Sequence, residues 1–164
     1  MTQEIDLEKY HQLALQKQKE HRKVLANLKK KPPKNLDKIA QVIHDEVFQE
    51  IDCTACANCC KTLGPDFKEA DITRIAKYFK MKLPAFEAEF LQVDEDGDKV
   101  FKSMPCPFLG GDNLCSIYDV RPKACREFPH TDRKKIYQIN HLTIKNTLTC
   151  PAAYLFVEKL KDRL

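Results

Sequence analysis

Cys53-Thr54-Ala55-Cys56-Ala57-Asn58-Cys59-Cys60 places four cysteines within eight positions. Two residues between cysteines let a turn aim both sulfurs at one point, so Cys53, Cys56 and Cys59 can wrap a single centre. Cys60 breaks the pattern. Adjacent side chains diverge by about 100° on a helix and point to opposite faces of a strand. Cys59 and Cys60 are therefore expected to serve different sites, unless one of them is not a ligand. Four more cysteines follow, Cys106, Cys115, Cys125 and Cys150. The eight then divide as three plus one and one plus three, two four-sulfur sites that share the short motif. Membership of the distal set stays open at this level.

Two plainer readings compete. Eight is an even number and suits four disulfides, and isolated cysteines are often small core hydrophobes. The first needs an oxidising compartment. The chain opens Met1-Thr2-Gln3-Glu4-Ile5-Asp6, with no basic stretch leading into an apolar run. Leu148 to Val157, the longest uncharged stretch late in the chain, contains proline and has about half the ~20 residues of a membrane span. A cytoplasmic protein without a membrane span is expected. The second reading does not explain four cysteines packed into one octapeptide. All eight, Cys53, Cys56, Cys59, Cys60, Cys106, Cys115, Cys125 and Cys150, are read as ligands of zinc or of a [4Fe–4S] cluster, between which the sequence does not choose. Three cysteines on one loop plus a distant Cys-Pro pair is the ferredoxin arrangement, and Cys106-Pro107 and Cys150-Pro151 both offer that pair.

The rest of the chain supplies a scaffold. At 164 residues and 43% hydrophobic content it can bury roughly 70% of its unfolded surface. Residues 2–30 read as a helix with Thr2 as its cap, a stripe of Leu7, Tyr10, Ala14, His21, Val24 or Leu25, and Leu28 along one face, and a stop at Pro32-Pro33. Asn35 is expected to cap a second helix bearing Leu36, Ile39, Ile43, Val47 and Ile51. A third is expected over Asp66 to Lys80, a fourth over Pro84 to Leu91 and a last over Pro151 to Leu164. Gln92-Val93 and Lys99-Val100-Phe101 flank an Asp-Gly turn and predict a hairpin. Gly110-Gly111-Asp112-Asn113 marks a second turn, and Arg121-Pro122 opens a helical turn carrying Cys125. Residues 131–149 show no decisive pattern. The expected fold is mostly α with short β-hairpins, an α+β cysteine-rich metal-binding domain over 35–164 preceded by a helical segment over 1–34.

Other features rank below the cysteines. Arg121, Lys123 and Arg126 flank Cys125 and could offset thiolate charge. Eight thiolates and two Zn²⁺ would bring the formal +4 of the chain to zero. His130 and His141 could each replace a thiolate. Asp94-Glu95-Asp96-Gly97-Asp98 lacks the downstream glutamate of a calcium loop and reads as a solvated turn. Lys17 to Lys38 holds nine basic residues against two acidic ones, a solvated face that could also meet an unknown protein partner. The mild overall charge argues against nucleic acid. No glycine-rich nucleotide loop or zinc-protease motif is present, so enzymatic activity is undecided, and an activated thiol stays possible.

The cluster at Cys53–Cys60, then Cys106-Pro107-Phe108-Leu109, then Cys115-Ser116-Ile117-Tyr118-Asp119-Val120-Arg121-Pro122-Lys123-Ala124-Cys125-Arg126-Glu127-Phe128-Pro129 resembles the YkgJ-type cysteine-cluster family. That family is described as zinc- or iron-chelating, with eight shared cysteines. The resemblance runs from about Cys53 to Cys150 and implies metal chelation through all eight. Flagellin lysine N-methylases look related through a similar cluster and are associated with an iron–sulfur centre, though they are larger. They imply the alternative, an iron–sulfur enzyme or redox protein that modifies a protein side chain. That role maps onto no particular residue here.

Overall fold

The computed structural model describes residues 4–164. The chain forms two compact units, one made of the chain up to Cys56 together with Pro129–Leu164, the other of Ala57–Phe128. It is mostly helical with one small antiparallel sheet, as the α+β reading expects.

In the first unit, α1 spans Leu7–Lys30, α2 Leu36–Glu50 and α3 Cys53–Cys56. Thr2 lies outside the described residues, and α1 starts later than the sequence suggests. Its cap is Asp6, whose Oδ1 accepts the Lys9 N–H at 2.9 Å. Glu8 in the first turn and Lys29 and Lys30 in the last complement the helix dipole. Ala14, His21, Leu25 and Leu28 form the buried stripe, with Leu25 rather than Val24 turned inward. Asn35 stands at the start of α2 but makes no side-chain capping bond.

The second unit begins with α4 (Asn58–Thr62), β1 (Asp66–Phe67), α5 (Glu69–Tyr78) and α6 (Leu83–Phe90). It continues with β2 (Leu91–Val93), β3 (Lys99–Phe101), a 3-10 turn at Tyr118–Val120 and α7 (Lys123–Glu127). The helix expected from Asp66 therefore starts three residues late. Asp66 and Phe67 instead pair with Val100 and Lys99 of β3, in a sheet ordered β1-β3-β2. Phe67 explains the change, because pairing as a strand sets its ring 4.8 Å from Phe101 in the core. The predicted hairpin is present, with Leu91 opposite Phe101 and Val93 opposite Lys99. Asp94 Oδ1 is used within its turn, accepting the N–H groups of Asp96 and Asp98.

Phe108 is the hub of this unit. Its ring lies 5.0 Å from Phe90, 5.2 Å from Phe79 and 5.6 Å from Phe101. Around it Ile72, Ile75, Phe86 and Ile117 are buried. Each such side chain contributes about 1.5–3 kcal/mol by leaving water.

The chain then returns to the first unit through a 3-10 turn at Ile136–Ile139, α8 (Asn140–Thr147) and α9 (Pro151–Asp162). The 3-10 turn and α8 occupy the stretch 131–149 that sequence periodicity left unassigned. Helix α9 is the core element, packed on α1, α2 and α8 and burying Phe156, Val157 and Leu160 completely. His21 of α1 is also fully buried. Its Nε2–H donates to Glu158 Oε1 at 2.7 Å, since a carboxylate can only accept. No helix among the described residues is long and apolar enough to cross a membrane.

Candidate metal centre

Five of the eight cysteines belong to the second unit, and four of them, Cys60, Cys106, Cys115 and Cys125, influence one another. Cys60 sits on α4 and Cys125 on α7, with Cys106 and Cys115 at the two ends of a compact loop. The loop is closed by a bridge between Leu109 and Cys115 and by the Ser116 N–H, which donates to the Phe108 carbonyl at 2.8 Å. Because Phe108 is locked among aromatic rings, Cys106 two residues earlier is anchored to the core. The Cys106 N–H in turn donates to the Cys60 carbonyl at 2.8 Å, which ties the two segments together.

The four thiols act on one another electrostatically. Burial pushes the thiols of Cys106, Cys115 and Cys125 up, and in each case the charge of Cys60 adds to the push. Cys125 is additionally raised by Cys106 and Cys115, reaching about 12. Although the residue as a whole is exposed, its sulfur is enclosed, and burial there is the largest cause of the rise. Cys60 moves the other way, to about 7, because the Cys59 thiol donates to it and Lys61 stands nearby, against the opposing effect of burial. Backbone amides temper the upward shifts. Those of Phe108 and Leu109 favour the charged form of Cys106, and that of Ile117 favours the charged form of Cys115.

The first unit holds Cys53, Cys56 and Cys150. Cys53 and Cys56 are one turn apart on α3, which Asp52 immediately precedes. The Asp52 Oδ1 accepts the Thr54 N–H at 2.8 Å and the Thr54 hydroxyl at 2.6 Å. Cys150 precedes α9, and burial pushes its thiol to about 12, with Cys53 and Cys56 adding to the shift. The Cys150 sulfur makes no formal capping hydrogen bond. The amides of Ala153 and Ala152 nevertheless lie near enough to favour its thiolate. Cys59 lies on α4 beside Cys60, after Ala57 has taken a left-handed backbone (φ 49°) that separates α3 from α4.

Of the three cations flanking Cys125 in sequence, Arg121 acts on the sulfurs, lowering Cys115 and Cys125 against the effect of burial. Its guanidinium carbon stands 3.8 Å over the Tyr118 ring centroid, and its Nη1 donates to the Tyr118 carbonyl at 3.0 Å. Lys123 faces Glu127 at 3.7 Å, and Arg126 is exposed. His141 lines a cavity of about 490 Å³ with Lys29, Lys30, Tyr137 and Gln138. His130 occupies a left-handed position at φ 65°.

Sequence reading missed Asp71 and Arg74 of α5. Asp71 is 2% exposed and paired with Arg74 Nη2 at 2.8 Å. The only available signal was a carboxylate in the first turn of a helix, and nothing marked Arg74.

Comparison with family models matches residues 52–151 to CxxCxxCC, described as "Putative zinc- or iron-chelating domain". The chain belongs to this family. The matched span brackets all eight cysteines, from Asp52 just before α3 to Pro151 at the start of α9. All of α1 and α2, and all of α9 except Pro151, fall outside it. No curated protein and no solved structure matches the chain.

Metal chelation is thus the property this CxxCxxCC chain shares with its family. Among the described residues, no three His, Cys, Asp or Glu side chains already stand in a geometry that would hold an ion. The donor chemistry nonetheless fits zinc or iron: soft sulfurs gathered from separate segments, with backbone amides and a guanidinium that favour thiolate.

Proposed function

We propose that the protein is a metal-binding module in which Cys60, Cys106, Cys115 and Cys125 hold one zinc or iron centre. The mutual influence of four thiols from three separate segments of one unit carries this reading. Burial favours the neutral thiol at each of the distal three, and a metal ion reverses that preference by replacing protons. The ligation free energy then becomes folding free energy, cross-linking α4, the 106–115 loop and α7.

Cys53, Cys56 and Cys150 form the nucleus of a second centre. On chain spacing alone Cys59 belongs with Cys53 and Cys56. The test is metal analysis with an absorption spectrum after anaerobic purification. Two equivalents of zinc in a colourless protein fit a structural or recognition module. A coloured protein with iron and acid-labile sulfide fits a cluster, and with it the alternative of redox or protein-modifying chemistry. Metal-free protein with full thermal stability would sink both.

A further inference from the structure

The ion pair on α5, a buried Asp71 with a half-buried Arg74, is aimed at the cysteine-bearing segment. Asp71 Oδ2 accepts the Lys68 N–H at 3.0 Å, while Oδ1 accepts the Lys123 N–H at 3.1 Å and Arg74 Nη2 at 2.8 Å. Arg74 then reaches two consecutive carbonyls with its planar fork, Val120 through Nε at 3.3 Å and Arg121 through Nη2 at 2.9 Å. One carboxylate and one guanidinium thus fix Val120, Arg121 and Lys123, which lie between Cys115 and Cys125.

We propose that Asp71 and Arg74 are positioning residues for the four-thiol centre: they clamp Val120–Lys123 so that Arg121 stands beside Cys115 and Cys125 and α7 presents Cys125. This rests on the metal reading of those four cysteines. Four thiolates around Zn²⁺ leave two negative charges, and Arg121 offsets one with a cation that never deprotonates near neutral pH. The Tyr118 ring holds that cation from one side and the clamp fixes its backbone from the other. A buried carboxylate is a costly way to brace a loop, because Asp71 must give up its water even though Arg74 keeps part of its own. A planar fork across adjacent carbonyls gives something an apolar contact does not, a fixed orientation of the chain on which Arg121 is carried.

Cobalt(II) titration of the full-length reduced protein tests this, reading thiolate charge-transfer and d–d bands and affinity by chelator competition. The signal abolished in Cys125→Ser belongs to this centre. Asp71→Asn and the milder Arg74→Lys, which keeps charge but loses the fork, are expected to weaken that signal's affinity at least ~10-fold and to shift its d–d bands. Arg121→Gln should weaken it too. Combined with Asp71→Asn, the loss should be smaller than the product of the two separate losses. Ile75→Val, a core change beside Arg74 that keeps every hydrogen bond of the clamp, should lower Tm and leave affinity and bands alone. Wild-type affinity and bands in both clamp variants, or equal changes in Ile75→Val, would overturn the clamp while the centre stands. No cobalt bound in the unaltered protein would overturn the centre and the clamp together.

Discussion

The amide of Cys106 donates to the carbonyl of Cys60 at 2.8 Å, joining residues 46 positions apart in the second unit. It belongs to neither the sheet ladder nor the internal bonding of a helix, and it brings the last cysteine of the short motif to the first of the distal set. From this follows a grouping. Cys60→Ser, Cys106→Ser, Cys115→Ser and Cys125→Ser are expected to lose the same equivalent of metal. A serine hydroxyl is neutral near pH 7 and harder than sulfur, so it ligates zinc or iron poorly. Cys53→Ser, Cys56→Ser and Cys150→Ser should lose a different equivalent, and chain spacing puts Cys59→Ser with them. Metal stoichiometry of each variant decides, and one uniform loss across all eight would mean a single cooperative centre.

Removing the metal should loosen the second unit selectively. Four-sulfur ligation can contribute ~10 kcal/mol or more, comparable to the whole stability of a small domain. After chelation, amides of α7 and the 106–116 loop are expected to lose hydrogen-exchange protection, while those of α9, buried among apolar side chains, keep theirs. Equal protection with and without metal in both regions would contradict this.

The cysteines were legible because their chemistry is written in spacing, and α1, α2 and α9 because their buried faces are apolar at helical intervals. Helix α8 escaped for a physical reason. Its buried face is partly polar, with Thr143, Asn146 and Thr147 satisfied by the carbonyls of Ile139, Pro129 and Ile144. Apolar periodicity does not register such a face. Asp66 and Phe67 misled in the opposite sense, since their residue types continue the pattern of α5 and only the distant Val100 and Lys99 pull them into a strand. Asp71 and Arg74 were hidden because their partners lie some 50 residues downstream.

The pairing of His21 with Glu158 makes a stability prediction. His21 Nδ1 is buried without a hydrogen-bond partner, so Nε2 is the only ring nitrogen satisfied. Glu158→Ala leaves the buried ring with neither nitrogen paired, and a loss of about 1–3 kcal/mol is expected in denaturant titration. Lys161→Ala, which removes a partly exposed ammonium from the same carboxylate at 3.1 Å, should cost at most about 1 kcal/mol. Equal effects of the two would argue against the buried bond.

The same carboxylate sets an acid limit. Burial pushes Glu158 up, but the His21 ring and the Lys161 ammonium outweigh it and hold the carboxyl below its ordinary range. A depressed carboxylate stabilises fully above its unfolded pKa of about 4.3 and loses that contribution as pH falls through the lower folded value. Glu158→Gln is therefore expected to be less stable than the unaltered protein at neutral pH, with the gap closing only below about pH 4. A gap that closes already between pH 7 and pH 5 would contradict the shift.

Gly64 is held at φ 64°, and a Cβ there would stand 2.9 Å from Met104 Sδ. Its N–H donates to the Cys59 carbonyl as α4 ends. Gly64→Ala is expected to cost about 1–2 kcal/mol from backbone conformation alone, read as a lowered midpoint in urea.

The division of the chain has a consequence for synthesis. Ala57–Phe128 is an insertion between the two pieces of the other unit, so it leaves the ribosome whole while its neighbour is still missing α8 and α9. Domains fold as they emerge. The inserted unit can close its aromatic core around Phe108 while the apolar stripes of α1 and α2 await Phe156, Val157 and Leu160. Those stripes are the surface a chaperone would meet on the nascent protein, and Cys150 is the last of the eight sulfurs to be born.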